Sequence, residues 1–240
     1  MDTVRLQKYF TDCGVLSRRA AEAEIAAERV TVNGAVATLG MRVTPGLDTV
    51  CWQGREITPT APEKYYILLN KPRGFVTTLA DEQGRRTVAD LVSALGARVY
   101  PVGRLDMDSD GLLILTSDGA LANRLMHPRH EIPKHYLVTV AGKVTAEALD
   151  RLCRPFLLDG YETLPVKVER VTEQEKSTVL SFTLFEGRNR QIRRMCEEVD
   201  LRITRLSRVA IGSLTLNGLA EGKWRHLTSN EVDYLFGRGE

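Results

Sequence analysis

Two prolines within Thr58-Pro59-Thr60-Ala61-Pro62 divide this chain into two unequal parts. Proline fixes its own φ and lacks a backbone donor, so neither a helix interior nor a central strand continues through this stretch. The spacing predicts a small unit with its linker over residues 1–60 and a large unit over 61–240.

The small unit is marked by its turns. Leu6, Tyr9 and Phe10 recur at helical spacing between Arg5 and Asp12, and Gly14 stands where it would end that helix. Ser17 offers an N-cap oxygen to a second helix from Arg18 to about Arg29, with Ala21, Ile25 and Ala26 on one side. Val30-Thr31-Val32 then alternates into Asn33-Gly34, a dipeptide whose members both tolerate the positive φ of a tight hairpin turn. Pro45-Gly46 marks a further turn, and Thr49 to Trp52 reads as a strand. Arg18 and Arg19 stand at the second helix's N-terminus, either as a solvated basic pair or as a phosphate contact helped by the unpaired amides there.

The large unit is strand-rich. Strands are expected at Tyr65 to Leu69, Phe75 to Thr78, Val99 to Val102, Leu112 to Thr116, His135 to Val140, Val166 to Val171, Thr178 to Phe185 and Leu214 to Leu216. Helices are expected near Val88 to Leu95, Ala120 to Met126, Ala146 to Cys153, Asn189 to Val199 and Asn230 to Phe236. Thr87, Ser117 or Asp118, Thr145 and Thr228 or Ser229 stand ready as N-caps. The alternation suits an α+β fold, with a mixed, largely antiparallel sheet flanked by helices.

Composition excludes several classes. With 43% hydrophobic and 27% charged residues, the 240-residue chain is neither a disordered polymer nor a fibrous repeat. It has no run of about 18–20 apolar residues to span a membrane, and its start lacks a secretory apolar segment. Cys13, Cys51, Cys153 and Cys196 lie far apart with no C-x-x-C, so they read as thiols in a reducing compartment. A cytoplasmic protein is the expectation. The net charge of +2 identifies no partner, but Leu184 to Arg208 carries seven arginines against four acids, a solvated face or an anion-binding surface.

The densest chemistry is Gly103-Arg104-Leu105-Asp106-Met107-Asp108-Ser109-Asp110-Gly111. Three alternating carboxylates before glycine match the opening of a calcium loop. Counted from Asp106, however, the twelfth position is Ser117, where calcium needs a bidentate glutamate, and the flanks read as strands. The remaining readings are an exposed acidic turn, or one carboxylate set by a tight turn against a basic partner. In the arginine-rich stretch, Ile192, Met195, Cys196 and Val199 form an apolar helical stripe. Arg193 lies on its rim, whereas Arg190 and Arg194 are expected to point away.

Two resemblances join these observations. Residues 4 to 57, from R-L-Q-K-Y-F through V-L-S-R-R-A-A-E and R-V-T-V-N-G to D-T-V-C-W-Q-G, resemble the S-four-type RNA-binding domain. Gly103 to Gly119 resembles the catalytic segment of the RsuA-type ribosomal RNA pseudouridine synthases, G-R-L-D-x-D-[ST]-x-G-L-L-x-L-T-x-D-G. In order with it stand L-N-K-P-x-G at Leu69 to Gly74, K-x-Y at Lys134 to Tyr136, and E-G-x-N-R-Q-[IV]-R-R-M at Glu186 to Met195. Similarity thus covers nearly the whole chain. N-R-Q-I-R-R-M and the segment ending G-K-W-R-H-L-T are closer to the large-subunit (23S) enzymes than to the small-subunit enzyme.

The resemblance implies isomerisation of uridine in ribosomal RNA, with no metal or organic cofactor, by a monomer with no membrane partner. It assigns Asp106 as the catalytic carboxylate, Arg193 as its cationic partner and Tyr136 as the residue on the flipped base. Ile192 would touch the uracil, and Arg104 would fill the gap it leaves or hold a phosphate. Lys71, Arg73, Lys134, Arg190, Arg194, Arg18 and Arg19 are the expected RNA contacts. The rival reading is a non-catalytic RNA-binding or ribosome-assembly factor that keeps the fold.

Overall fold

The computed structural model describes residues 3–58 and 63–238, so Pro59 and Pro62 of the expected linker lie outside the described residues. The chain forms two compact units, Met1–Lys64 and Tyr65–Glu240. Among the described residues no helix is long and apolar enough to cross a membrane.

In the first unit β1 (Val4–Arg5) leads into α1 (Leu6–Asp12), followed by α2 (Arg18–Ala26). Then come β2 (Val30–Val32), β3 (Ala35–Val36), β4 (Arg42–Val43), β5 (Val50–Trp52) and β6 (Arg55–Ile57). β1 pairs with β4, and an antiparallel sheet runs β3-β2-β5-β6. Leu6, Phe10, Ala21, Ile25, Val30 and Val50 are fully or almost fully buried between helices and sheet. Ser17 caps α2 by accepting from the Ala20 amide. The helix stops at Ala26 rather than Arg29 because Glu28 adopts φ 57°. Glu24 ties α2 to the sheet, accepting two bonds of 2.8 Å from Arg29 and one of 2.7 Å from the Trp52 indole. Those bonds, Arg29 first, pull its carboxyl down to about 2.

The second unit runs β7 (Tyr66–Lys71), α3 (Val88–Leu91), β8 (Tyr100–Val102), β9 (Asp110–Thr116), α4 (Gly119–Met126) and β10 (Lys134–Ala141). It continues with α5 (Ala146–Cys153), β11 (Leu157–Leu158), β12 (Tyr161–Glu162), β13 (Lys167–Glu173), β14 (Ser177–Leu184) and α6 (Gln191–Glu197). It ends with β15 (Ile203–Ile211), β16 (Leu214–Thr215), β17 (Trp224–His226) and α7 (Ser229–Phe236). The main sheet has nine strands in the order β13-β14-β10-β15-β9-β7-β17, with β16 beside β15 and β8 beside β9. Among the described residues of this sheet, only β9 and β15 pair in parallel. All seven residues of β9 are buried because cores lie on both of its faces. Leu113 and Leu115 pack with Ile67, Leu69 and Val99, while Leu112 and Ile114 pack with Leu121, Leu214 and Leu235.

One expected strand fails here, and one strand was not anticipated. Phe75 to Thr78 is not a strand: it makes a single bridge, Val76 to Thr87. The Thr77 hydroxyl is engaged with the Leu105 backbone and the Thr78 hydroxyl with the Ala80 carbonyl. Conversely, Ile203 to Ile211, part of the arginine-rich run, is a nine-residue strand in the middle of the sheet.

Gly111 sits where three strands converge, opposite Lys71 of β7 on one side and Arg208 of β15 on the other. Its φ is 107°, and a Cβ there would meet the Arg208 carbonyl oxygen at 2.2 Å. That atom is backbone in a packed sheet and has no free path to move. Gly111→Ala is therefore expected to lower stability by about 2–3 kcal/mol, read as a fall in the urea midpoint. A wild-type midpoint would show that β9 and β15 need not approach so closely.

Candidate active site

β8 and β9 form an antiparallel pair, and residues 103–109 connect them. Gly103 turns the chain at φ 73°, Leu105 inserts into the core at 6% exposure, and the Ser109 amide closes a turn onto the Asp106 carbonyl at 3.1 Å. Asp106 stands at the head of that turn.

Five consecutive carbonyls of this loop have donors. Leu105 accepts from Thr77 Oγ1 at 2.6 Å. Asp106 and Ser109 accept from Lys71 Nζ at 3.0 and 2.8 Å. Met107 accepts from the Gly74 amide at 2.7 Å. Asp108 accepts from Arg73 Nε at 3.0 Å and Arg193 Nη2 at 3.2 Å. The Leu69 to Gly74 segment is thus a clamp. Lys71, expected to meet RNA phosphate, has no exposed surface, and its third bond goes to the Pro72 carbonyl at 3.0 Å. Burial pulls its pKa down to about 8, against the carboxylates of Asp110, Asp106 and Asp108, which favour the charge. Arg73 is exposed but engaged, its other donor reaching the Thr204 carbonyl at 3.0 Å.

Arg193 comes from α6, its side chain 9% exposed. Nε lies 3.4 Å from Asp106 Oδ2, and Nη2 lies 3.0 Å from Asp108 Oδ1 and 2.9 Å from Ser109 Oγ. The contact to Asp106 is an ion pair without hydrogen-bond geometry, so Nε retains an unused donor beside the carboxylate. Tyr136 of β10, half-buried, lines the same pocket as Asp106, with Ile192, Leu184 and Leu206 as apolar walls and Arg104 exposed beside them.

Arg190 differs from expectation. It precedes α6 as its N-cap at φ 48°, so helical periodicity does not set its direction. Instead of pointing away, its Nη1 lies 3.4 Å from Asp106 Oδ2 and 3.8 Å from Asp108 Oδ1. Arg194 does turn elsewhere, pairing with both oxygens of Asp159 at 2.7 and 2.9 Å. Lys134 is half-buried at the start of β10, and burial, then Arg208, lowers its pKa. Arg18 and Arg19 are exposed on the first turn of α2 in the other unit.

The calcium geometry is absent. Asp110 is 4% exposed and turns from the other two aspartates to Arg205 Nε at 3.1 Å and to the Ser207 hydroxyl. Among the described residues no group of three or more His, Cys, Asp or Glu side chains converges to hold a metal ion. Sequence reasoning missed Lys71 as a brace, together with Thr77, Ser109 and the Asp110–Arg205 pair. A lysine closing a largely apolar strand, Ile67-Leu68-Leu69-Asn70-Lys71, was the signal available for the first.

Lys71→Met keeps the stem and removes all three donors, leaving buried carbonyls without this partner. A loss of about 2–4 kcal/mol in urea denaturation is expected, because each stranded acceptor carries its own desolvation cost. A variant as stable as wild type would show that the brace is dispensable.

Residues 65–198 match the family model for RNA pseudouridylate synthase, and residues 4–48 match the S4 domain. The chain is 42% identical to ribosomal large subunit pseudouridine synthase B of Bacillus subtilis (strain 168), over 96% of this chain and 95% of the relative. It is 39% identical to the dual-specificity RNA pseudouridine synthase RluF of Escherichia coli (strain K12), over 98% of this chain and 79% of the relative. A crystal structure of a pseudouridylate synthase superposes with a TM-score of 0.69 at 30% identity, covering 97% of this chain and 99% of that one. The pocket of Asp106, Tyr136 and Arg193 lies on the part of the chain matched by the synthase model, and the chain belongs to the RNA pseudouridylate synthase family, with an S4 domain at its N-terminus.

Proposed function

We propose that this protein isomerises a uridine of large-subunit ribosomal RNA to pseudouridine, with Asp106 as the catalytic carboxylate. The observation that carries the reading is Arg193, a nearly buried guanidinium 3.4 Å from Asp106 in a pocket that also holds Tyr136 and Ile192. The relatives at 42% and 39% identity, a ribosomal large subunit pseudouridine synthase and a dual-specificity RNA pseudouridine synthase, support the RNA class.

The reaction balances without a co-reactant. The bond from ribose C1′ to uracil N1 breaks, the base turns, and C1′ joins C5. The C5 proton leaves, and N1 gains one. A carboxylate serves this sequence as nucleophile or base while it is ionised, and adjacent guanidinium charge favours that form. Tyr136 contacts the extruded base, and its hydroxyl is available for proton transfer at C5. Ile192, Leu184 and Leu206 give the uracil apolar walls. Arg104 holds a phosphate or fills the vacated stack, since the target nucleotide must leave its helix to be reached. Arg190, beside Asp106 and 44% exposed, is free to exchange its long carboxylate contact for RNA phosphate. Arg18 and Arg19 add sequence-independent phosphate contacts from the S4 domain.

The test is a map of pseudouridines in cellular RNA with and without the gene. Loss of one or a few large-subunit sites is the expected result, and an unchanged map would favour a non-catalytic RNA-binding factor. Arg193→Lys gives a second check, because lysine keeps the charge but loses the planar fork that spans Asp106, Asp108 and Ser109. Misplacing the carboxylate by about 1 Å is expected to cost about a hundredfold or more in turnover. Wild-type turnover in that variant would remove Arg193 from its role.

A further inference from the structure

The hairpin of β11 and β12 lies outside the nine-stranded sheet. Phe156 and Leu158, at 0% and 4% exposure, root it in the core, while Leu157 and Tyr161 face outward at 70% and 37%. Three contacts tie it to the segment that opens α6. Asp159 at its turn pairs with Arg194 through two bonds. Glu186 Oε1 accepts from the Leu164 amide at 2.9 Å and from Gln191 Nε2 at 3.1 Å. The Arg188 guanidinium lies over the Tyr161 ring, 3.3 Å from its centroid.

Arg188 also lines the pocket that holds Asp106, and its side chain is 45% exposed. Its nearest acid, Glu186, makes only a long ion pair with it. Glu186 spends one oxygen on the Leu164 amide and Gln191, and the other is 3.5 Å from Arg188 Nε. The Tyr161 ring packs against the guanidinium at the pocket rim, removing much of the rotamer freedom that a long cationic side chain would lose on binding. Within E-G-x-N-R-Q, Arg188 occupies the open position, so the shared motif does not specify it.

We propose that Tyr161 and Arg188 form a stacking platform at the pocket rim for an unpaired nucleobase next to the target uridine. The proposal rests on the RNA-substrate reading above. Extruding a uridine strips its neighbour of a stacking partner. A planar cation beside the pocket restores that stack, and splayed RNA bases are commonly received on aromatic rings and guanidinium planes. Stacking tolerates any base, so the platform holds the strand while the sequence is read elsewhere.

The experiment uses the full-length protein and an RNA oligonucleotide that wild type converts. 2-Aminopurine replaces the nucleotide on the 5′ or the 3′ side of the target uridine in separate strands. Its fluorescence is titrated with Asp106→Asn protein, so that the uridine is not consumed. Quenching at one flank is expected, and adding Arg188→Lys or Tyr161→Leu should abolish it. In otherwise wild-type protein the same two changes should raise KM about tenfold, out of proportion to any fall in kcat. Leu157→Ala, on the same hairpin but outside the platform, serves as the control for a loosened hairpin and should retain quenching and KM. Full quenching in both platform variants, quenching at neither flank with the parent protein, or equal losses in Leu157→Ala would overturn the platform. An absence of pseudouridine in wild-type incubations would overturn the RNA-substrate reading, and the platform with it.

Discussion

A buried ammonium holds the site together. Lys71 ends strand β7 directly beneath the loop that bears Asp106, and its three protons go to the carbonyls of Pro72, Asp106 and Ser109. Burying a cation is expensive unless its donors are satisfied. Here the lysine's three acceptors are backbone atoms of the segments it must fix. With Thr77, Gly74, Arg73 and Arg193 serving the neighbouring carbonyls, the loop is braced from Leu105 to Ser109. Such bracing would fix the carboxylate proposed to react before substrate arrives, and catalytic electrostatics depend on that preorganisation.

Charge near the pocket is divided between two jobs. Asp110, Arg205 and Ser207 couple β9 to β15 beside their parallel contact, so this pair supports the sheet. Arg208, 5% exposed, donates Nε to the Leu112 carbonyl at 2.7 Å and belongs to the same seam. Arg193 and Arg190 face Asp106. Removing one member of a buried pair leaves the other uncompensated, so changes in the seam are expected to act on folding, whereas the proposed role of Arg193 predicts a loss of turnover beyond any loss of stability.

Much of this was readable from residue patterns, for identifiable reasons. Ser17, Asp118, Thr145 and Thr228 cap their helices as expected because a short hydroxyl or carboxylate at that position satisfies a free amide. Asn33-Gly34 makes its hairpin because both residues accept positive φ. β15 was obscured because Thr204, Arg205, Ser207 and Arg208 break its apolar alternation, and those polar groups find partners only after distant strands converge. Lys71 and Arg190 were misread for a related reason. Local spacing shows which residues share an element, whereas burial beneath a loop 35 residues away, or a left-handed N-cap, depends on the assembled fold. The pairing of Asp106 with Arg193 was expected because their motifs carry the resemblance, and the two, 87 residues apart in sequence, lie 3.4 Å apart in space.

The central claim is that the charge on Asp106 drives the isomerisation while other groups hold the RNA. Asp106→Asn keeps the side chain's shape and removes that charge. Measured on an RNA that wild type converts, pseudouridine formation should fall to background, because an amide is neither nucleophile nor base at neutral pH. Affinity for the same RNA should stay within about twofold of wild type, since phosphate contacts made elsewhere dominate binding. Pseudouridine formed by the variant at a comparable rate would contradict the account.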